Sequence, residues 1–380
     1  MICHGGFHMS KRLIGLFIVL LILAACGEDS PETQPTLVRP TVTPAPTTLT
    51  IWYHDPRMTK AYTAVLADFE ARYPHITTHL MLQEGATFLN DINQSLEAGG
   101  EPDVILAPAV LLDPLLARRS LLPLTLSESS QIRMLVPVNA AEVGIRNEQM
   151  YGFPVQINVP ILVYDSSRVP DVPQNYDAFV QSGHETIVRP NFMTTSLWMP
   201  IANTASARTP DGRLNVTADG LTAYFQRLLD MSATVSFADD FSTSNAAVYL
   251  ASTADLPVLR EKLGDTLRIA PLPDLASLPQ NNLYVGEATL FMVSQNASDA
   301  DYDASLKLLE FLLDPEQQDK MSEISGYLPI LSADYNAQRA VFFGDSQFYT
   351  EVVPGMDTAI QQVITGQLTP QQASEQWLND

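Results

Sequence analysis

Cysteine, basic residues and long apolar runs are all scarce in this chain. Cys3 and Cys26 are the only cysteines among 380 residues, which excludes a disulfide-stapled scaffold and leaves too few thiolates for a zinc knuckle. Lysine and arginine total 21 against 43 aspartates and glutamates, a formal net charge of −22. Nucleic acid and anionic lipid surfaces demand basic patches, so neither is expected as a partner. Signatures of catalysis are missing as well: there is no Gly-x-Ser-x-Gly elbow, no phosphate-cradling Gly-x-x-x-x-Gly-Lys and no His-Glu-x-x-His. His75 and His79 fall on a stretch that reads as a strand, where ~3.3 Å per residue would set them ~13 Å apart, too far to share a metal. Asp239 and Asp240 are adjacent, so in an extended chain they face opposite ways. No metal, no cofactor and no enzymatic activity are expected.

The longest apolar run, Leu13 to Ala25 broken by Gly15, follows Lys11 and Arg12. It is about as long as a secretory leader's apolar region and falls short of the ~20 residues that span a bilayer. Its end, Leu23-Ala24-Ala25-Cys26, resembles the lipobox of bacterial lipoproteins. That resemblance implies a signal peptide over 1–25, lipid attachment at Cys26 and a place on the outer face of the cell membrane. A plain secretory signal or an uncleaved anchor is the alternative, and Met9 competes with Met1 as the start. Losing Lys11 and Arg12 with the leader makes the remaining chain two charges more negative. Residues 26–47 are rich in proline and threonine with little to bury, and read as an extended tether. At ~3.1 Å per residue it reaches ~60 Å at most.

The remaining 330 or so residues suit two domains. Thr48 to His54 reads as a short strand. Tyr62, Val65, Leu66 and Phe69 recur at helical spacing before Pro74. Ile76 to Leu82 alternates as a second strand, and Phe88, Ile92 and Leu96 mark a second helix ended by Gly99-Gly100. Pro102 to Ala107 is apolar throughout, as in a sheet-buried strand. This β-α-β-α-β order predicts a doubly wound α/β unit, with ligand expected beyond the carboxyl ends of its strands, at Trp52-Tyr53-His54 and Ala107-Pro108. The stretch Tyr151 to Asp165 alternates apolar residues with Gln156 and Asn158 but contains Pro154 and Pro160. It cannot be one uninterrupted inner strand, and suits a segment passing from one lobe to another.

Leu49-Thr50-Ile51-Trp52, Phe69-Glu70 to Tyr73-Pro74 and Gly100-Glu101-Pro102-Asp103-Val104 resemble the extracellular solute-binding proteins of ABC importers. The sugar-binding family that includes maltose-binding protein is the closest in look. Tyr151-Gly152-Phe153-Pro154 with Leu162-Val163-Tyr164-Asp165 resembles its first crossing between lobes. Val172 to Phe179 is similar to its turn into a helix, with the usual Thr-Trp pair replaced. Leu267 to Pro273 with Val285-Gly286-Glu287-Ala288 resembles the second crossing, and Leu313 to Gln318 with Gly326-Tyr327-Leu328-Pro329 the late helices and the third. The resemblance implies an α/β, two-lobe periplasmic-binding-protein-like fold, each lobe a mixed or parallel sheet flanked by helices, joined by a multi-strand hinge. Lobe 1 would take 48–157 with 286–328, and lobe 2 158–285 with 329–380. A helix over Asp301 to Leu313 would pack on lobe 1. Thr369-Pro370-Gln371-Gln372 fits a capping box opening a terminal helix through Trp377, a structural residue.

The function implied is capture of a small solute, a mono- or oligosaccharide, in the interlobe cleft by a monomer that delivers it to ABC permease subunits. Sugar rings offer an apolar face to aromatics and hydroxyls to polar side chains. The candidates are Trp52, Tyr53 and His54 at the first strand end, Gln156 and Asn158 at the crossing, Glu287 beside Gly286, Tyr327, and Trp198 from the second lobe. A peptide, polyamine or other polar solute is the alternative ligand. A secreted glycan hydrolase, which two carboxylates facing one cleft would favour, and a scaffold lipoprotein are the alternatives of another class.

Overall fold

A computed structural model describes residues 45–83, 87–100, 102–125, 136, 138–171, 182–196, 217–270, 272, 284–327, 329–330, 340–342 and 353–379. The leader, Cys26, the tether up to residue 44, the 172–179 turn and Trp198 lie outside them.

Fourteen strands are numbered along the described chain. β1 (Thr47–Tyr53), β2 (Ile76–Leu82), β3 (Val104–Pro108) and the short β4 (Leu121–Leu122) come first. A small hairpin, β5 (Ile145–Arg146) and β6 (Gln149–Met150), precedes β7 (Gly152–Asn158) and β8 (Pro160–Asp165). β9 (Thr186–Val188), β10 (Ser236–Phe237), β11 (Val248–Ser252) and β12 (Leu267–Ala270) follow, then β13 (Tyr284–Ser294) and β14 (Ala340–Phe342). They make two main sheets. The first runs β14-β13-β3-β1-β2, with β4 and β7 also pairing β13, and the second runs β10-β9-β11-β8-β12. β1 is parallel to both β2 and β3, as the β-α-β-α-β reading requires.

The Tyr151–Asp165 stretch breaks where its prolines demand. β7 pairs with β13 of the first sheet and β8 with β11 and β12 of the second, Val159 lying between. Pro154 sits beside an irregularity in the β7–β13 register, between Thr289 and Leu290, where a missing N–H costs the ladder least.

Helices cover both sheets. Thr59–Arg72 presents Tyr62, Val65, Leu66 and Phe69 to the core and packs against the helices Asp299–Leu312 and Pro315–Ser325. Asp314 caps the latter through its carboxylate, Pro315 takes the first helical position, and Gly326 ends it with φ 79°. Against the second sheet, Ala218–Met231 packs on Val353–Ile364 and Pro370–Asn379. The last helix opens with the expected capping box: Gln372 N donates to Thr369 Oγ1, and Thr369 N donates to Gln372 Oε1. Trp377 packs at the margin of that core. Alternation along β8 splits its side chains between two apolar cores. Ile161 and Val163 join one that is continuous with the first sheet, and Leu162 joins the helix-covered core behind.

Candidate ligand-binding site

Two adjoining cavities lie where the sheets meet. The larger, about 510 Å³, is lined by the loop after β1 (His54 to Arg57), the residues at the end of β3 (Pro108 to Val110), Gln156 and Asn158 of β7, Glu287 to Thr289 of β13, and Tyr327. The smaller, about 260 Å³, adds Arg189, Asn191, Ser252, Asp255 and Asp357 from around the second sheet. Arg57, Asn158 and Glu287 line both. The strand ends that carry parallel-sheet ligand sites therefore do open onto a cavity.

Asn158 is the best-anchored group in it. Its Oδ1 accepts from Thr253 Oγ1 and Ala254 N, both at 3.0 Å, and its Nδ2 donates to Glu287 Oε2 at 3.2 Å. Thr253 also binds the crossing backbone, Val159 N donating to its Oγ1 and its own N–H donating to Val159 O. Glu287 is pushed above the usual carboxylate range by burial, which the Asn158 hydrogen bond and the Arg57 charge oppose and the Asp357 charge reinforces.

Each arginine at the cleft is held by an aspartate. Arg57 binds Asp55 through Nε at 2.8 Å and Nη2 at 3.0 Å, and lies over the Tyr327 ring, 5.4 Å from its centre. Tyr327 donates its hydroxyl to the same carboxylate at 3.1 Å. Burial works against the charge on Asp55, but these bonds and the guanidinium hold it below the usual range. Across the cleft Arg189 binds Asp255 through Nη2 at 2.6 Å and Nε at 3.2 Å, and stacks 4.8 Å from the Phe241 ring centre. Asp357, by contrast, accepts only the backbone N–H of Phe192 among the described residues, at 2.6 Å. Burial and the charge of Asp239 raise its pKa to about 6 against that hydrogen bond.

Of the expected ligand residues, His54, Gln156, Asn158, Glu287 and Tyr327 line the cavities. Trp52 and Tyr53 do not, and this corrects the expectation: both are buried in the core, Trp52 at 7% exposure. β1 is an inner strand flanked by β2 and β3, and with the helix Asp299–Leu312 packed against it its side chains from Leu49 to Tyr53 are buried. Tyr53 bonds to Thr59 Oγ1 and packs edge-on against Tyr62. The chain turns into the cleft only after the strand ends, at His54 to Arg57. Asp55, Arg57, Arg189, Asp255 and Asp357 were not anticipated. Asp55 and Arg57 had a signal, the loop directly after β1. Asp357 had none, since its partner Phe192 lies 165 residues away. Among the described residues no cluster of histidine, cysteine and acidic side chains is placed to hold a metal.

A profile of the bacterial extracellular solute-binding proteins matches residues 64–339. The chain belongs to that family. Its members bind solutes and are not enzymes. The sn-glycerol-3-phosphate-binding periplasmic protein UgpB of Escherichia coli K12 is 31% identical over 129 residues, 33% of this chain. The chain spans 28% of the length of such curated relatives. Solved structures share the two-lobe fold of this solute-binding protein. The GacH receptor of Streptomyces glaucescens superposes with a TM-score of 0.71 at 14% identity, over 88% of this chain and 97% of that one. The cyclic alpha-maltosyl-1,6-maltose binding protein of Arthrobacter globiformis gives 0.69 at 16%, over 88% and 98%.

Proposed function

We propose that this solute-binding protein captures a mono- or oligosaccharide for an ABC importer. The observation that carries the reading is the pair of adjoining cavities, one against each sheet, with Arg57, Asn158 and Glu287 in the wall of both. A solute seated there touches groups of both lobes, so it favours the conformation in which the lobes approach, and closure is the signal a permease reads. The lobes are taken as 48–157 with 286–328 and 158–285 with 329–380. The neighbouring GacH receptor was crystallised with acarbose, and a fold neighbour of TM-score 0.70 holds maltotetraose, both saccharides. We assign Cys26 as the lipid attachment point, which puts a monomeric binding body on the outer face of the membrane.

Thermal-shift and calorimetric screening of the purified chain against saccharides and other polar solutes tests the reading. A saccharide should raise the melting temperature and bind with micromolar or tighter affinity. Stabilisation by peptides or polyamines alone would replace it. For the anchor, Cys26→Ser should release the protein from the membrane fraction or leave the precursor uncleaved.

A further inference from the structure

The charges lining the cleft select among solutes. Among the described residues, the cavity walls carry two guanidiniums, Arg57 and Arg189, and four carboxylates, Asp55, Asp255, Glu287 and Asp357. Each arginine donates two hydrogen bonds to its own aspartate, which offsets its charge. The two remaining acids have no cation bonded to them. Glu287, which lines both cavities, receives one amide hydrogen bond from Asn158, and Asp357, which lines the smaller, one from a backbone N–H, which leaves lone pairs on both. Asp239, 3.9 Å from Arg189, adds a further negative charge at the rim.

A second observation points the same way. Gln156, opposite Thr289 on the ladder, lines the larger cavity with Glu287 and is 7% exposed, and its Oε1 has no hydrogen-bond partner among the described residues. A buried acceptor left unpaired costs about 1–3 kcal/mol, which a donor on the solute would relieve. An anionic solute would lie against two acids whose charge neither arginine offsets. A solute bearing an ammonium among hydroxyls supplies what the wall lacks.

We propose that the cleft selects an amino sugar, its ammonium held between Glu287 and Asp357 with Gln156 taking a further donor, and that it rejects phosphate esters. This rests on the saccharide reading above and narrows it. Glycerol 3-phosphate, the solute in the name of the E. coli relative, is on this view not a ligand of this chain.

The test uses matched triplets on the purified chain by calorimetry at neutral pH: glucosamine, glucose and glucose 6-phosphate, and the corresponding disaccharide forms, with glycerol 3-phosphate alongside. The amine should bind at least about ten-fold tighter than its neutral parent, the scale of one charge-assisted hydrogen bond, and the phosphates more weakly than either. Glu287→Gln and Asp357→Asn, which keep shape, should each shrink the ratio of amine to neutral-parent affinity measured on the same variant. Equal binding of amine and neutral parent overturns the selectivity and leaves the saccharide reading standing. Tight binding of a phosphate ester overturns it too. Failure of every saccharide to bind sinks both, and unchanged amine preference in both variants removes these acids from the site.

Discussion

Asn158 hands a hydrogen bond from Nδ2 to Glu287 Oε2, 3.2 Å away and 129 residues further along the chain, while its Oδ1 is gripped by Thr253 and Ala254. The first crossing between sheets is thereby tied to β13 and to the end of β11 through one side chain. Asn158→Ala unpairs Glu287 and two donors at once. It should weaken solute binding by ten-fold or more and lower stability by about 1–3 kcal/mol. Calorimetry and thermal melting on the same variant measure both.

Trp52 separates core from cleft. Trp52→Ala should cost about 3–5 kcal/mol of stability, as large-to-small core changes do, and leave the affinity of the folded fraction unchanged. Trp52→Phe should be far milder, because it removes a buried indole N–H that has no partner while keeping most of the ring. Denaturant unfolding gives the first quantity and titration the second.

Asp357 sets a pH slope. Its pKa is raised from 3.8 to about 6, so the folded state holds a proton that the unfolded state releases first. Stability should fall as pH rises between about 4 and 6 and stay lower above, the penalty being absent below the unfolded value. The raised Glu287 acts in the same direction, and the lowered Asp55 opposes it at the acid end. Asp357→Asn should flatten this slope and stabilise the solute-free protein at neutral pH, by about 1 kcal/mol once partial solvent screening is allowed for. Melting temperatures from pH 4 to 8 for both proteins provide the check.

Gly326 combines two constraints. Its φ is 79°, and a Cβ there would meet Pro257 Cγ at 2.8 Å and Cα at 3.1 Å. Gly366, with φ 72°, has nothing within 4 Å. Gly366→Ala should therefore show only the left-handed backbone penalty, about 1 kcal/mol, and Gly326→Ala that penalty plus the clash. Comparing the two melting curves isolates the packing contribution between the helix ending at Ser325 and the helix Leu256–Leu263.

Much of the architecture follows from local pattern. The helical spacing of Tyr62, Val65, Leu66 and Phe69, the alternation along β2, the Asp314-Pro315 helix start and the Thr369–Gln372 capping box all act within a few residues, so their physics is written in adjacent positions. The prolines of Tyr151 to Asp165 likewise forbid a single inner strand wherever the segment sits. The cleft is another matter. Pairing of Arg189 with Asp255, of Glu287 with Asn158 and of Asp357 with the Phe192 N–H joins groups 66 to 165 residues apart, and no spacing rule spans such distances. Trp52 shows the same limit from the other side. Its place at the end of an apolar strand is plain from the sequence, but whether that end is open to solvent depends on which strands flank it and which helices lie across it. Only the packed sheet and its helices decided that Trp52 and Tyr53 are core and that the cavity lining begins after them, at His54 and Asp55.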